Sequence, residues 1–216
     1  RRDRRGAAAA ASDILTRKGK TMGFLDVPAD LADFLNRYDT FFLLGHMDPD
    51  GDCIGSQIAM ASFLRRRGKT AHLFSPGPFK RKEIRSFGGY FQARIPQELR
   101  RQRAGVLVLD CATADRIGDL AADIEGREIA VIYHHSAGDG DFGSIRYIDS
   151  RAPCVTLLVQ KIIEALGDVP TREEARRLFG GFATDTGYFR HLENEAGEVL
   201  RMVGRLADAG VSPRSV

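Results

Sequence analysis

Apolar residues in this chain fall into two patterns: short unbroken runs, and longer stretches that repeat with a helical period. Phe41-Phe42-Leu43-Leu44, Gly105-Val106-Leu107-Val108-Leu109 and Ile129-Ala130-Val131-Ile132 are runs of strand length with no polar face. Such runs read as strands buried on both sides of a sheet. Strands are therefore predicted near 40–45, 70–75, 105–110 and 128–134, with a further one at Ile145-Arg146-Tyr147-Ile148. Leu31, Phe34 and Leu35 predict an entry helix, and Ile54, Ile58, Ala61, Phe63 and Leu64 a helix over 54–67. Further helices are predicted over 96–103 and 116–125, and through Val155, Leu158, Val159, Ile162 and Ile163. Another starts after Pro170, where Thr171-Arg172-Glu173-Glu174 has capping chemistry. Strand and helix alternate. The fold class that follows is α/β, a mainly parallel sheet with helices on both faces.

The first residues break this pattern. Arg1-Arg2-Asp3-Arg4-Arg5-Gly6, an alanine run and Lys18-Gly19-Lys20 offer little to bury, so 1–22 is expected to be a poorly ordered leader. The full 216 residues are enough for one sizeable domain. A net charge of +3 is too small to argue for wrapping long nucleic acid. Its distribution says more: Lys80, Arg81, Lys82 and Arg85 form one basic cluster, and Arg100, Arg101 and Arg103 another. Solvated helix faces are the simpler reading of both, and a rim tracking a short polyanion is the sharper one. Cys53, Cys111 and Cys154 show neither metal spacing nor an even count, which fits free thiols in a reducing cytoplasm. No run approaches the ~18–20 apolar residues that a spanning helix needs.

Candidate chemistry sits where the strands end. Gly45-His46-Met47-Asp48-Pro49-Asp50-Gly51-Asp52-Cys53-Ile54-Gly55-Ser56 sets one imidazole and three carboxylates on the turn between a strand and a helix. Asp-Pro and Asp-Gly also suit an ordinary surface turn. Yet the run at 105–109 ends in Asp110 and the next in His134-His135, while Gly181-Phe182-Ala183-Thr184-Asp185-Thr186-Gly187-Tyr188-Phe189 adds another acid among small residues. Open α/β sheets bind ligands at the carboxyl ends of their strands. Several carboxylates gathered there repel one another unless a cation lies between them, and an Asp/His set suits Mn²⁺ or Mg²⁺. A shared metal site explains the four clusters together.

The order Gly-His-x-x-Pro-Asp-Gly-Asp-x-Ile-Gly-Ser, a strand-terminal Asp, His-His and Thr-Asp-Thr-Gly-x-Phe resembles the DHH phosphoesterase superfamily. The first and last motifs most resemble its nanoRNase branch, which degrades oligoribonucleotides and removes the 3′-phosphate of 3′-phosphoadenosine 5′-phosphate. The resemblance covers about Phe41 to Asp208 and implies a catalytic domain over 23–208. It also implies that 209–216 begins a linker to a smaller C-terminal domain outside this chain. By the same resemblance, two Mn²⁺ ions (Mg²⁺ being the alternative) are expected. One would be held by His46, Asp50 and Asp110, the other by Asp52, Asp110, His134 and Asp185, with Asp110 bridging. Sites of this kind activate water and clamp a phosphate. Asp110 and His135 are then the catalytic candidates, and His135, Ser56 and Arg190 the substrate-contacting ones. Asp48 is expected to serve the turn. Tyr133 stands where the family has the Asp of Asp-His-His, and so brings a hydroxyl without a formal charge.

The expected activity is hydrolysis of short RNA or of a nucleoside bisphosphate, in the cytoplasm and without a membrane, with a homodimer allowed. The same acids would serve cyclic or linear dinucleotides or polyphosphate. Tyr133 also admits a nucleotide-binding module with a weakened site.

Overall fold

The computed structural model describes residues 24–138, 140–192 and 196–215. The leader expected over 1–22 lies outside them. Five parallel strands form one sheet: β1 (Thr40–Leu44), β2 (Thr70–Leu73), β3 (Gly105–Leu109), β4 (Ile129–Tyr133) and β5 (Ile145–Ile148), in the order β2-β1-β3-β4-β5. The register sets Phe41 against both Ala71 and Gly105, and Val106 against Ile129. From β1 the chain moves outward to β2, then returns to the other side of β1 for β3. That reversal opens a crevice between the carboxyl ends of β1 and β3, where such sheets take ligands.

Side chains alternate across the sheet, so each strand feeds two cores. Phe41, Leu43, Leu107, Leu109 and Ile132 face a thick helical layer, while Phe42, Leu44, Val106, Val108 and Val131 face a thinner one. The thick layer contains α1 (Ala29–Arg37), α2 (Gly51–Arg66), α4 (Val155–Ala165), α5 (Arg172–Asp185) and α6 (Ala196–Asp208). The thin layer is built from the one-turn α3 (Leu120–Asp123), 3₁₀ turns and irregular chain. Both faces are covered, as expected, but unequally.

Two predicted helices differ in the structure. Residues 96–103 form successive turns, with Leu99 N bonded to the Pro96 carbonyl and Gln102 N to that of Leu99. Side chains hold these turns in place: Arg127 donates to the carbonyls of Arg100 and Gln102, and Arg100 to that of Ile95. The stretch 116–125 is split by Gly118, at φ +59°, into a 3₁₀ turn over Ala114–Ile117 and α3. Asp123 on α3 binds Arg94 and Arg100, and Arg103 stacks on Tyr38. Arg100 and Arg103 thus belong to the scaffold, not to a phosphate rim.

Two helix starts matter for the site. The Asp50 carboxylate accepts from Cys53 N at 3.0 Å, so α2 begins at Gly51 and Asp52 sits in its first turn. Thr171 and Glu174 form a reciprocal capping box that starts α5. The two helices then cross at glycines. A Cβ on Gly55 would lie 2.7 Å from the Arg177 carbonyl oxygen, and one on Gly181 would lie 3.0 Å from the Asp52 Cα. Val211 is buried against the thick layer, so the fold still grips the chain inside the expected linker.

Gly55→Val should lower stability by about 1–3 kcal/mol through overpacking at this crossing. Gly204→Ala, on exposed α6 with nothing within 4 Å of the added carbon, should raise stability by roughly 0.5–1 kcal/mol. Urea unfolding of both variants checks the contrast. Equal shifts would show that close approach is not what keeps glycine at 55.

Candidate metal centre

Three strands end in candidate ligands: His46 follows β1, Asp110 ends β3 in a left-handed conformation at φ +58°, and His134 follows β4. Asp52 comes in from the first turn of α2 and Asp185 from the last residue of α5. Their atoms converge. His46 Nε2 lies 3.2 Å from Asp110 Oδ2 and 3.9 Å from Asp50 Oδ2. His134 Nε2 lies 3.8 Å from Asp110 Oδ1, 3.5 Å from Asp185 Oδ2 and 4.0 Å from Asp52 Oδ2. Asp110 therefore offers one oxygen to each imidazole.

Both imidazoles are oriented from behind. His46 Nδ1 lies 2.8 Å from the Met47 carbonyl and His134 Nδ1 lies 3.3 Å from that of Ala152. A carbonyl only accepts, so these contacts favour a proton on Nδ1 and turn Nε2 toward the acids, where it can bond a carboxylate or, once deprotonated, a cation. Asp52 is held as firmly, with its oxygens accepting from Val155 N at 2.6 Å and Thr156 N at 2.8 Å, at the start of α4.

The electrostatics point the same way. Burial raises the Asp52 carboxyl to about 6, although the two backbone N–H groups pull it down. Burial and the neighbouring Asp52 and Asp50 raise Asp110 to about 6, against its bond to His46. Burial, with Asp52, Asp110 and Asp50 close by, raises Asp185 to about 8. Burial alone would lower His46, but its bond to Asp110 outweighs that and raises it. Burial lowers His134. Protons partly fill the place of missing positive charge here, so the donor set fits divalent cations.

The other expected site residues separate clearly. His135 is exposed, its ring tilted 41° against that of His134 with centroids 3.8 Å apart, and it groups with Asp110 and His134. Burial and His134 lower its pKa. Asp48 is exposed and its N–H donates to the Gly77 carbonyl, the turn role expected of it. Ser56 is fully buried and donates to the Cys53 carbonyl, so it does not face a substrate. One turn of helix puts it ~6 Å below Asp52, away from the strand ends. Arg190 is exposed on the turn beyond α5. Tyr133 is 5% exposed and packs in the thin-layer core with Val108, Val131 and Ile117. Its ring also meets those of His135 and His134, with centroids 5.2 and 6.1 Å apart, so it is a core residue that backs the imidazoles.

The structure adds three residues. Cys53 Sγ lies in the group formed with His46 and Asp110, but burial holds the thiol well above its ordinary pKa. Arg81 favours the charged form of Asp185, and exposed Arg116 acts in the same way on Tyr133 and against protonated His135. Arg81, of the Lys80–Arg85 cluster, thus lies within electrostatic reach of Asp185. Sequence spacing carried no sign of Arg116, which a 3₁₀ turn brings in.

With this geometry in hand, comparison with known proteins is direct. Residues 40–181 match the model of the DHH family, N-terminal domain. The chain is 30% identical over 170 residues to the bifunctional oligoribonuclease and PAP phosphatase NrnA of Thermus thermophilus, covering 79% of this chain and 50% of that protein. It is 26% identical over 175 residues to the protein of the same name from Bacillus subtilis, covering 80% of this chain and 54% of the other. The chain spans about half the length of the curated relatives it matches. An exopolyphosphatase-related protein of Bacteroides fragilis shares the fold, with a TM-score of 0.76 at 21% identity over 86% of this chain and 57% of that one.

The raised carboxyls set a sign for pH. Groups whose folded pKa lies above the ordinary ~3.9 stabilise the metal-free fold fully below that value. That contribution is lost as pH rises through about 6 for Asp52 and Asp110 and about 8 for Asp185. Bound cations would replace the lost protons. The rise in melting temperature on adding Mn²⁺ should therefore be larger at pH 8.5 than at pH 5.5. Equal rises at the two pH values would argue against cation binding by these acids.

Tyr133→Asp supplies a second test. It should lower stability by about 3 kcal/mol or more, since it removes a buried ring and buries a carboxylate near Asp110. Thermal melts alongside Mn²⁺ titration check this. An unchanged melting temperature with tighter Mn²⁺ binding would restore a ligand-supporting role to this position.

Proposed function

Because the chain belongs to the DHH family, on its nanoRNase branch, we propose that it is a Mn²⁺-dependent phosphoesterase. Its proposed substrates are very short oligoribonucleotides and 3′-phosphoadenosine 5′-phosphate. One observation carries the reading: two imidazoles with Nε2 turned inward converge with the carboxylates of Asp50, Asp52, Asp110 and Asp185 at the carboxyl ends of β1 and β3. The relatives named as oligoribonuclease and PAP phosphatase support the substrate class. The family and the donor set support the metal.

In this reading His46, Asp50 and Asp110 hold one cation, and Asp52, Asp110, His134 and Asp185 the second. Divalent ions there would supply Lewis-acid activation of water and offset charge on the phosphate. The protein's own groups do the rest. Asp110 sets the spacing between the two halves, since its left-handed backbone turns the carboxylate across the crevice. The bonds from Val155 and Thr156 to Asp52 fix that carboxylate before substrate arrives, which reduces reorganisation during reaction. His135, exposed and with its pKa lowered, donates a neutral N–H to a phosphate oxygen. Arg81 and Arg116 draw the polyanion toward the mouth.

Purified protein should release mononucleotide from a diribonucleotide, and phosphate from 3′-phosphoadenosine 5′-phosphate, with Mn²⁺ present and not with EDTA. Asp110→Asn should reduce both rates by about 100-fold or more, because it weakens both halves of the site together. His135→Ala should raise KM more than it lowers kcat. Wild-type turnover by a folded Asp110→Asn protein would sink the assignment.

A further inference from the structure

Beside the metal centre lies a cavity of about 320 Å³ that the catalytic reading does not use. This is near the lower end of the ~300–1,000 Å³ range for small-molecule pockets. Its wall is the α2–α5 crossing, where Gly51, Gly55, Gly180 and Gly181 present backbone instead of side chains. Ile54 of the same helix, Ile84 and Phe87 add apolar lining. The Arg177 guanidinium carbon, also in the lining, lies 4.6 Å from the Phe87 ring centroid, and Tyr90 stacks near that ring.

Tyr188, three residues beyond Asp185, also lines the cavity. It is 63% exposed, and its backbone is left-handed at φ +55°, as is that of Phe189 at φ +75°. Two consecutive non-glycine residues in that region cost of order 1–3 kcal/mol each and persist only where neighbours hold them. Here Tyr188 N donates to the Ala183 carbonyl, Phe189 N donates to Thr186 Oγ1, and the Phe189 ring packs on Phe182. The strained turn keeps a large aromatic ring in solvent at the cavity edge.

The cavity also adjoins the chemistry through the chain itself. Gly51 lies between Asp50 and Asp52, and Thr184 directly precedes Asp185, so two lining residues are covalent neighbours of candidate ligands. A phosphate at the metal centre would have its attached group directed along the α2–α5 crossing. A flat wall, aromatic rings and an apolar floor suit a nucleobase, which stacks on such surfaces with little regard to sequence. Ser86 and Glu83 at the rim can meet a base edge with a hydroxyl and a carboxylate.

We propose that this cavity is a nucleoside subsite, taking the base of the nucleotide whose phosphate sits at the metal centre, with Tyr188 and Phe87 as its stacking residues. The proposal rests on the phosphoesterase reading and adds a determinant to it: the protein prefers a nucleotide over an equally charged phosphate without a base.

Calorimetry with the Mn²⁺-loaded protein tests it, using AMP and ribose 5-phosphate as probes. AMP should bind roughly tenfold or more tightly than ribose 5-phosphate. Tyr188→Ala and Phe87→Ala should each remove most of that advantage while leaving ribose 5-phosphate binding unchanged, and Tyr188→Phe should retain it. Tyr188 is exposed, so its variants stay folded, which a melt verifies. Equal affinity of the wild type for the two probes overturns the subsite and leaves the phosphoesterase reading standing. An equal loss of both ligands in Tyr188→Ala likewise overturns it. Binding of neither probe to metal-loaded protein overturns both.

Discussion

Holding Asp50, Asp52, Asp110 and Asp185 around shared space costs free energy, because burial and mutual repulsion both disfavour charged carboxylates. The fold bears this cost by fixing each acid through a different element. Asp50 caps α2, Asp52 accepts from the first turn of α4, Asp110 is turned inward by a left-handed residue, and Asp185 ends α5. No single flexible loop could keep them together against repulsion. The core around them is correspondingly rigid, with fully buried Phe41, Leu43, Leu107 and Leu109 under the strand ends.

Asp52 shows how closely stability and chemistry are joined here. Its oxygens satisfy two N–H groups that a helix start leaves without internal partners. The same residue lies 4.0 Å from His134 Nε2. A structural cap and a ligand position coincide in one side chain, so a substitution there disturbs both. Asp110, by contrast, spends its oxygens on the imidazoles alone among the described hydrogen bonds and ion pairs. That is why it is the cleaner residue with which to probe function.

Much of this was legible in the sequence, for physical reasons. Buried parallel strands need apolar residues on both faces, so β1, β3 and β4 stood out as unbroken runs, and their last residues led directly to the acids and imidazoles. The predicted 96–103 helix is instead a run of turns held by Arg127, and periodicity cannot register a partner that is distant in sequence. Ser56 was carried along by a motif, but the start of α2 at Gly51 puts it a turn below the ligands. Tyr133 read as a departure at the site, whereas strand alternation turns it into the thin-layer core. Arg81 was visible only as part of a basic run and Arg116 not at all, since irregular chain and a 3₁₀ turn bring them to the site.

The α2–α5 crossing links these observations. Glycine at 51, 55 and 181 is required for the backbones to approach, and that approach brings Asp185 to Asp52. Side chains there would push the acids apart. They would also fill the space beside the crossing, where the cavity now lies. The residues that allow the charges to gather are therefore the same ones that leave a flat surface next to them. Helix propensity works against this arrangement, since each glycine inside α2 or α5 costs about 0.5–1 kcal/mol relative to alanine. Close packing at the crossing offsets part of that cost, and the rest is borne by the cores on either side of the sheet. The metal centre and the adjoining cavity are two consequences of one close contact between helices.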